Sequence, residues 1–442
     1  MQHPSPGNAS IEKDTMRRVM TRVVPLLIVC YIISYLDRVN VGFAALTMNK
    51  DLGFSAAVYG LGAGIFFLTY FIFELPSNLM LHRFGARRWI ARILFTWGVL
   101  SGAMGFIPQL SAMTGLSYEA VFYTLRLLLG AAEAGFFPGI IYYLTLWFPA
   151  AYRARVIGYF MTALPLASVI GAPLSGWLLG MGSADGFAGW QWMFVIEAIP
   201  AVLLAGVVLR CLTDLPGQAG WLTPEQRGWL TRTLTDEAAQ QADRPRMNVL
   251  RTLTHPMVLL LGLVYFSVVY MNYTLGFFLP TIIRDFGLTP LQTGMLAAIP
   301  AAVGALSMVF WGRRSDRKGE RKWHLVFALG VGGVSFALAA LGSNPALIMV
   351  CFSIAAFGIY GSQPVFWTMP GTFLTGGAAA AGIAIINSLA NLSGFMGPSI
   401  MGWVKDATGS YTSGLLLAAG MAILATVVVA SFGVQRFQVA RQ

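Results

Sequence analysis

Charge is what this sequence has least of. Asp, Glu, Lys and Arg make up 11% of its 442 residues, against about a quarter in a soluble domain, so an ordinary water-exposed globular fold is excluded. Cysteine is scarce as well. Cys30, Cys211 and Cys351 stand far apart and offer neither a metal-ligand spacing nor a disulfide framework. The four histidines, His3, His82, His255 and His324, fall at the ends of apolar stretches or between them. With no nucleophile or metal cluster inside an apolar stretch, an enzyme embedded in a membrane is not expected, and neither is a cofactor. Met1 to Asp14 is polar and lacks an apolar run with a cleavage site, so no removable signal peptide is expected.

What fills the space is apolar. Hydrophobic residues make up 57% of the chain, with 49 Gly and 12 Trp, a composition suited to close-packed helices with interfacial aromatic belts. Twelve segments long enough to span a bilayer are read at 23–44, 57–80, 89–108, 117–147, 156–180, 190–210, 256–280, 291–311, 323–342, 346–369, 379–403 and 413–434. The sequence therefore predicts an all-α membrane protein of twelve transmembrane helices. Its parts are an amino-terminal tail at 1–22, a first half at 23–210, a polar linker at 211–255, a second half at 256–434 and a tail at 435–442. Lys and Arg gather in both tails and in the loops after segments 2, 4, 6 and 8. Lys50, Arg284 and Lys405 stand on the other side, and the loop at 370–378 carries no charge. This asymmetry places both termini in the cytoplasm. It also makes nucleic acid an unnecessary explanation for the net charge of +11.

Within the apolar segments a few charges remain. Tyr35-Leu36-Asp37-Arg38-Val39-Asn40 sets an acid beside a base about fifteen residues into the first segment, and Arg126 and Glu133 lie in the fourth. Charges at such depth are costly unless they face a protein interior or water, so each marks a candidate site. Guanidinium is permanently charged and matches a carboxylate bidentately. Arg38 and Arg126 are therefore read as anion-binding residues, with Asp37 and Glu133 as proton carriers. The four are formally neutral together when both acids are ionised. Protonating one acid leaves a net positive charge and frees an arginine for an anion, so that proton and anion favour each other's binding. Arg126 and Glu133 are seven apart and share a helix face, with Gly130 between them to admit a neighbour; Tyr35 and Arg38 share a face likewise. Glu74, before Pro76, is read as a structural or gating acid, and Glu197 as a structural one.

The two halves echo each other. Aligning His82 with Asp316 matches Arg83 to Arg317, Gly85 to Gly319 and the basic pairs that follow, while Gly171-Ala172-Pro173 echoes Gly397-Pro398. The stretch Gly312-Arg313-Arg314-Ser315-Asp316-Arg317-Lys318-Gly319-Glu320-Arg321-Lys322 resembles the signature loop of the major facilitator superfamily. Its first-half copy is degenerate, with Asn78 and His82 where Gly and Asp are expected. Four stretches resemble the anion:cation symporter family within it, together with the Tyr35-to-Asn40 run. They are Phe73-Glu74-Leu75-Pro76-Ser77-Asn78, Arg83-Phe84-Gly85-Ala86-Arg87-Arg88-Trp89, Arg126 through Gly139, and Trp190-Gln191-Trp192-Met193-Phe194-Val195-Ile196-Glu197. The likeness covers essentially the whole chain and is nearest to bacterial carriers of tartrate, phthalate, hydroxyphenylacetate and sugar acids.

The resemblance implies two six-helix halves related by a pseudo-two-fold axis, with a site at the midplane between them. It implies proton-coupled uptake of an organic anion by alternating access, in a bacterial inner membrane and by a monomer. An anion exchanger on the same scaffold is the alternative, and a transporter-like sensor a more distant one. Tyr70, Trp367 and Asn387 match substrate-contacting positions of the family, with Asn391 one turn from Asn387; Tyr265, Asn272 and Tyr273 are further candidates. The sparse hydrogen bonding around Leu164-Pro165 favours a less hydroxylated acid. Arg83, Gly85 and Arg87 in the first loop, and Asp316, Arg317 and Gly319 in the second, are expected to latch the halves in the outward-open state.

Overall fold

The computed structural model describes residues 6–181, 186–242, 255–370 and 377–431. The expected tail at 435–442, most of the loop 370–378 and the end of the linker lie outside the described residues.

Twelve helical spans are long and apolar enough to cross a membrane, in the places where the apolar runs predict them. In the first half they are built by α1 (Pro6–Leu52), α2 (Ala56–Phe84), α3 (Ala86–Ala103) continued by α4 (Ile107–Thr114), α5 (Tyr118–Glu133) with α6 (Phe136–Trp147), α7 (Ala150–Met161) with α8 (Ala163–Leu179), and α9 (Gly189–Cys211). A surface helix, α10 (Pro224–Ala242), follows in the linker. The second half holds α11 (Pro256–Arg284), α12 (Pro290–Lys318), α13 (Lys322–Leu341), α14 (Pro345–Phe366), α15 (Gly377–Thr408) and α16 (Thr412–Ser431). Leu75, Leu203, Leu306 and Trp403 are each more than 60% exposed, the outward apolar surface that lipid solvates.

Two features go beyond the apolar pattern. The first helix begins at Pro6, so most of the expected tail at 1–22 is helix. Met16 and Val19 bury one of its faces although Arg17, Arg18 and Arg22 keep its hydropathy low. The fourth apolar run is two helices, because α5 stops at Glu133 and Gly135 turns the chain with φ +83°, a conformation that costs glycine little.

Local signals start the helices where they start. Ser55 accepts from the Val58 N–H at 3.2 Å and Ser117 from the Ala120 N–H at 3.2 Å. Thr289 and Gln292 form a reciprocal capping box before α12, with Pro290 in the first turn. Asn344 accepts from Ala346 at 2.9 Å ahead of α14.

The halves meet along α2 against α15, α8 against α12 and α1 against α11. At the face opposite α10, hereafter the far face, two seams close backbone to backbone. A Cβ on Gly60 would land on the Pro398 carbonyl and Gly402, and one on Gly294 would land on the Ala172 carbonyl and Gly176. Glycine is required at both for the helices to approach this closely. The register that aligns His82 with Asp316 also places Gly60 on Gly294 and Ser55 on Thr289, so the seams are copies of one motif.

Candidate functional site

Deep in the bundle, Asp37 and Arg38 point in different directions. The Arg38 side chain reaches from α1 to the end of α5, where Nη2 makes an ion pair with Glu133 Oε1. Ser34, one turn earlier on α1, donates to the same oxygen at 2.8 Å. The other arm of the guanidinium crosses to the second half, with Nη1 donating to the Tyr273 hydroxyl on α11 at 3.3 Å. Phe66 and Tyr70 on α2 lie against the cation at 5.4 and 5.1 Å from their ring centroids, within cation–π range. Arg38 is 7% exposed and Glu133 1%. The Arg38 Nε is buried without a hydrogen-bond partner, so the group has a donor to spare for an incoming acceptor.

Arg126 does not join Glu133. At 1.5 Å per residue, seven residues separate the two by about 10 Å along the helix, a shared face but too far for a direct pair. Instead, Nε and Nη2 of Arg126 donate to the carbonyls of Gly62 and Ala63 on α2, both at 3.0 Å, and its Cζ lies 4.9 Å from the Phe66 centroid. Gly130 lets α2 come this near, since a Cβ there would strike the Phe66 carbonyl. Arg126, which shares a helix face with Glu133, instead grips the backbone of α2.

Asp37 faces into the first half. It accepts from the Trp97 indole at 2.6 Å and from the Asn40 amide at 3.4 Å. Asn40 also lies beside Glu197 on α9, whose Oε1 accepts from Ser175 at 2.6 Å and whose Oε2 has no partner. Asp37 and Glu197 thus form a buried polar cluster held by Trp97, Asn40 and Ser175. Their spacing along the chain gives no hint of it, because it joins four different spans.

Aromatic and amide groups of the second half complete the surroundings. Asn272 donates to the Tyr35 hydroxyl at 2.9 Å, and Tyr360 lies beside Tyr35 and Ser168. Phe67 packs on Tyr273 at 4.4 Å between centroids. Tyr265 stacks on Phe366 and meets Trp367 edge-on at 4.8 Å. Asn387 and Asn391 are half-buried on α15. A cavity of about 50 Å³ between the halves is lined by Tyr35, Ser168, Gly171, Asn272, Pro300 and Tyr360 among others. Tyr35, Arg38, Tyr70 and Glu133 are thus brought together with Tyr273, while Arg126 and Asp37 flank them with partners of their own.

The loops expected to latch the halves are bound within their own halves. The Arg87 backbone N–H donates to Asp214 at 2.7 Å, and a Cβ on Gly85 would press on the same carboxylate. Asp214 follows α9, so the acid that the first loop lacks at His82 comes from the linker. Arg83 lies over Phe84. In the second loop Asp316 pairs with Arg321 at 2.7 Å and Gly319 ends α12 with φ +63°, while Arg317 is exposed.

With this geometry in view, comparison with known proteins is informative. The family model described as Major Facilitator Superfamily matches residues 27–398 and, again, 261–440. A protein of Agrobacterium vitis named "Putative tartrate transporter" is 48% identical over 95% of this chain and 95% of its own. The Quinolone resistance transporter of Acinetobacter baumannii is 43% identical over 91% of each. Among solved structures, a bacterial homologue of the human lysosomal transporter Spinster, inward-facing and occupied, superposes with a TM-score of 0.75 at 17% identity, covering 95% of this chain and 99% of that one.

Proposed function

This chain belongs to the major facilitator superfamily, and from that premise we propose that it takes up a small organic anion together with protons by alternating access. Transport of organic acids is the reading its relatives support; the proton coupling and the cycle rest on the site. One observation carries it: the buried Arg38–Glu133 pair on the first half, joined by Tyr273 to the second.

In the empty carrier Arg38 and Glu133 neutralise each other. A carboxylate that reaches Arg38 competes for the guanidinium, using the spare Nε, and a proton on Glu133 removes the competing charge. Each ligand favours the other without a further moving part. Asp37, with Trp97 and Asn40, is the second proton-carrying acid. Tyr35, Tyr70, Trp367, Asn387 and Asn391 shape the space for the anion. Arg126, gripping α2, sets the position of Phe66 and Tyr70, and stays a candidate to meet the anion when α2 moves.

The face of α10 and both termini is read as cytoplasmic, in a bacterial inner membrane. The two basic loops, each bound in its own half here, exchange partners when the halves close on that side. The carrier is read as a monomer.

The test is uptake of radiolabelled tartrate and aromatic carboxylates into proteoliposomes under an inward proton gradient. Accumulation that an uncoupler abolishes is expected. Uptake that needs an internal anion and ignores the uncoupler would make the protein an exchanger. A quinolone belongs in the panel, given the name of the relative cited above, and exclusive transport of neutral or cationic compounds would overturn the role given to Arg38.

A further inference from the structure

The two far-face seams are copies in packing and differ in polar contacts. At the α2–α15 seam, Asp406 near the end of α15 accepts from the backbone N–H groups of Ala56 at 3.0 Å and Ala57 at 2.8 Å. These are the first two residues of α2, on the other half of the molecule. A carboxylate on the positive end of a helix, taking two of its free N–H groups, is a charge-assisted cap. Lys405 beside it turns away, with Nζ donating to the Gly409 carbonyl at 3.0 Å and lying over Tyr411. The carboxylate is thus left to the helix end.

At the α8–α12 seam the helices approach as closely, yet among the described residues nothing equivalent crosses. The register that pairs Gly171 with Gly397 sets Gly180 at the place of Asp406. The start of α12 is capped by its own Thr289 and Gln292, with Pro290 removing one donor. Opening the far face therefore takes the Asp406 carboxylate from Ala56 and Ala57, leaving α2 with its own Ser55 cap, and takes nothing from the Thr289 cap of α12.

We propose that Asp406 is a one-sided latch, which holds the far face closed by capping α2 across the halves and makes the α2–α15 seam the one whose parting costs polar contacts. The latch rests on the alternating-access reading above. It sits far from Arg38 and touches nothing that the anion or the proton uses, so it sets the balance between states and leaves the binding chemistry alone.

The test places spin labels at Met113→Cys and Leu341→Cys, exposed positions on α4 and α13 of opposite halves, in a Cys211→Ser background in lipid nanodiscs. Asp406→Ala is expected to raise the population with the longer distance about fivefold, the ratio that loss of a typical cap corresponds to. Asp406→Glu, which keeps the charge, should restore the original distribution. Thr289→Ala, a cap within one half, should leave it unchanged. A distribution in Asp406→Ala that matches the parent, or an equal shift in Thr289→Ala, overturns the latch. Proteoliposome uptake by the parent protein separates the two readings. With uptake present and distances unmoved, only the latch fails. With uptake absent for every compound, the transport reading fails, and a distance shift in Asp406→Ala still establishes the tie between the halves.

Discussion

The first half brings Asp37, Arg38, Arg126, Glu133 and Glu197 into its buried interior, whereas the second half answers with Tyr265, Asn272, Tyr273 and Tyr360. The folding plan is the same in both, and the chemistry is not. A buried charge needs a partner that stays with it, and Arg38, Glu133 and Ser34 keep theirs on helices of a single half. Such a pair survives a rocking motion of one half against the other. The second half meets it through a hydroxyl and an amide, Tyr273 on Arg38 and Asn272 on Tyr35, contacts that can be exchanged at little cost. On this account the charged half performs the coupling and the uncharged half reads it out.

The harshest way to break this division is Arg38→Ala. It leaves Glu133 buried with Ser34 alone, and removing one partner of a buried pair costs about 3–5 kcal/mol. Uptake in proteoliposomes should fall by at least about 100-fold, with a lowered unfolding temperature in detergent. Arg126→Met comes next. It deletes two charge-assisted hydrogen bonds to the carbonyls of α2, each worth about 1.5–3 kcal/mol. Thermal unfolding should register the change strongly, and uptake should fall less than in Arg38→Ala. A larger loss of uptake in Arg126→Met than in Arg38→Ala would reverse the order of the two arginines.

The sequence made the twelve spans legible because an apolar run long enough for a bilayer has few alternatives. It also marked Arg38 and Glu133, since a charge in such a run is conspicuous. Their partnership was not legible: it joins α1 to the end of α5, a distance no spacing encodes. The shared face of Arg126 and Glu133 was legible because seven residues return to it, but the backbone contacts of Arg126 with α2 were not. The break at Gly135 was hidden for a similar reason, because a glycine between Glu133 and Phe136 leaves the hydropathy of the run intact. Asp214 and Asp406 were missed because each acts on a helix start remote in sequence. The signal that could have found them is an acid placed at the end of one span, within reach of another helix's free N–H groups.

Smaller effects sharpen the comparison from the uncharged side. Tyr273→Phe removes one hydrogen bond to a charged group, about 1.5 kcal/mol at most in this open geometry. The half-saturating substrate concentration should rise about fivefold while accumulation at saturation persists. Asn387→Ala and Asn391→Ala, half-buried side chains on α15, should change apparent affinity by about threefold or less and leave the proton dependence as it is. If either abolished proton-driven accumulation, coupling would extend into the second half and the division drawn here would fail.

The most direct measurement is proton entry into proteoliposomes, followed with an internal pH indicator, as the transported acid is added outside. The comparison is between the parent protein and Glu133→Gln. The account predicts that protons enter with the anion in the parent, and that Glu133→Gln moves fewer protons for each anion transported. A Glu133→Gln protein that moves as many protons per anion as the parent would contradict it.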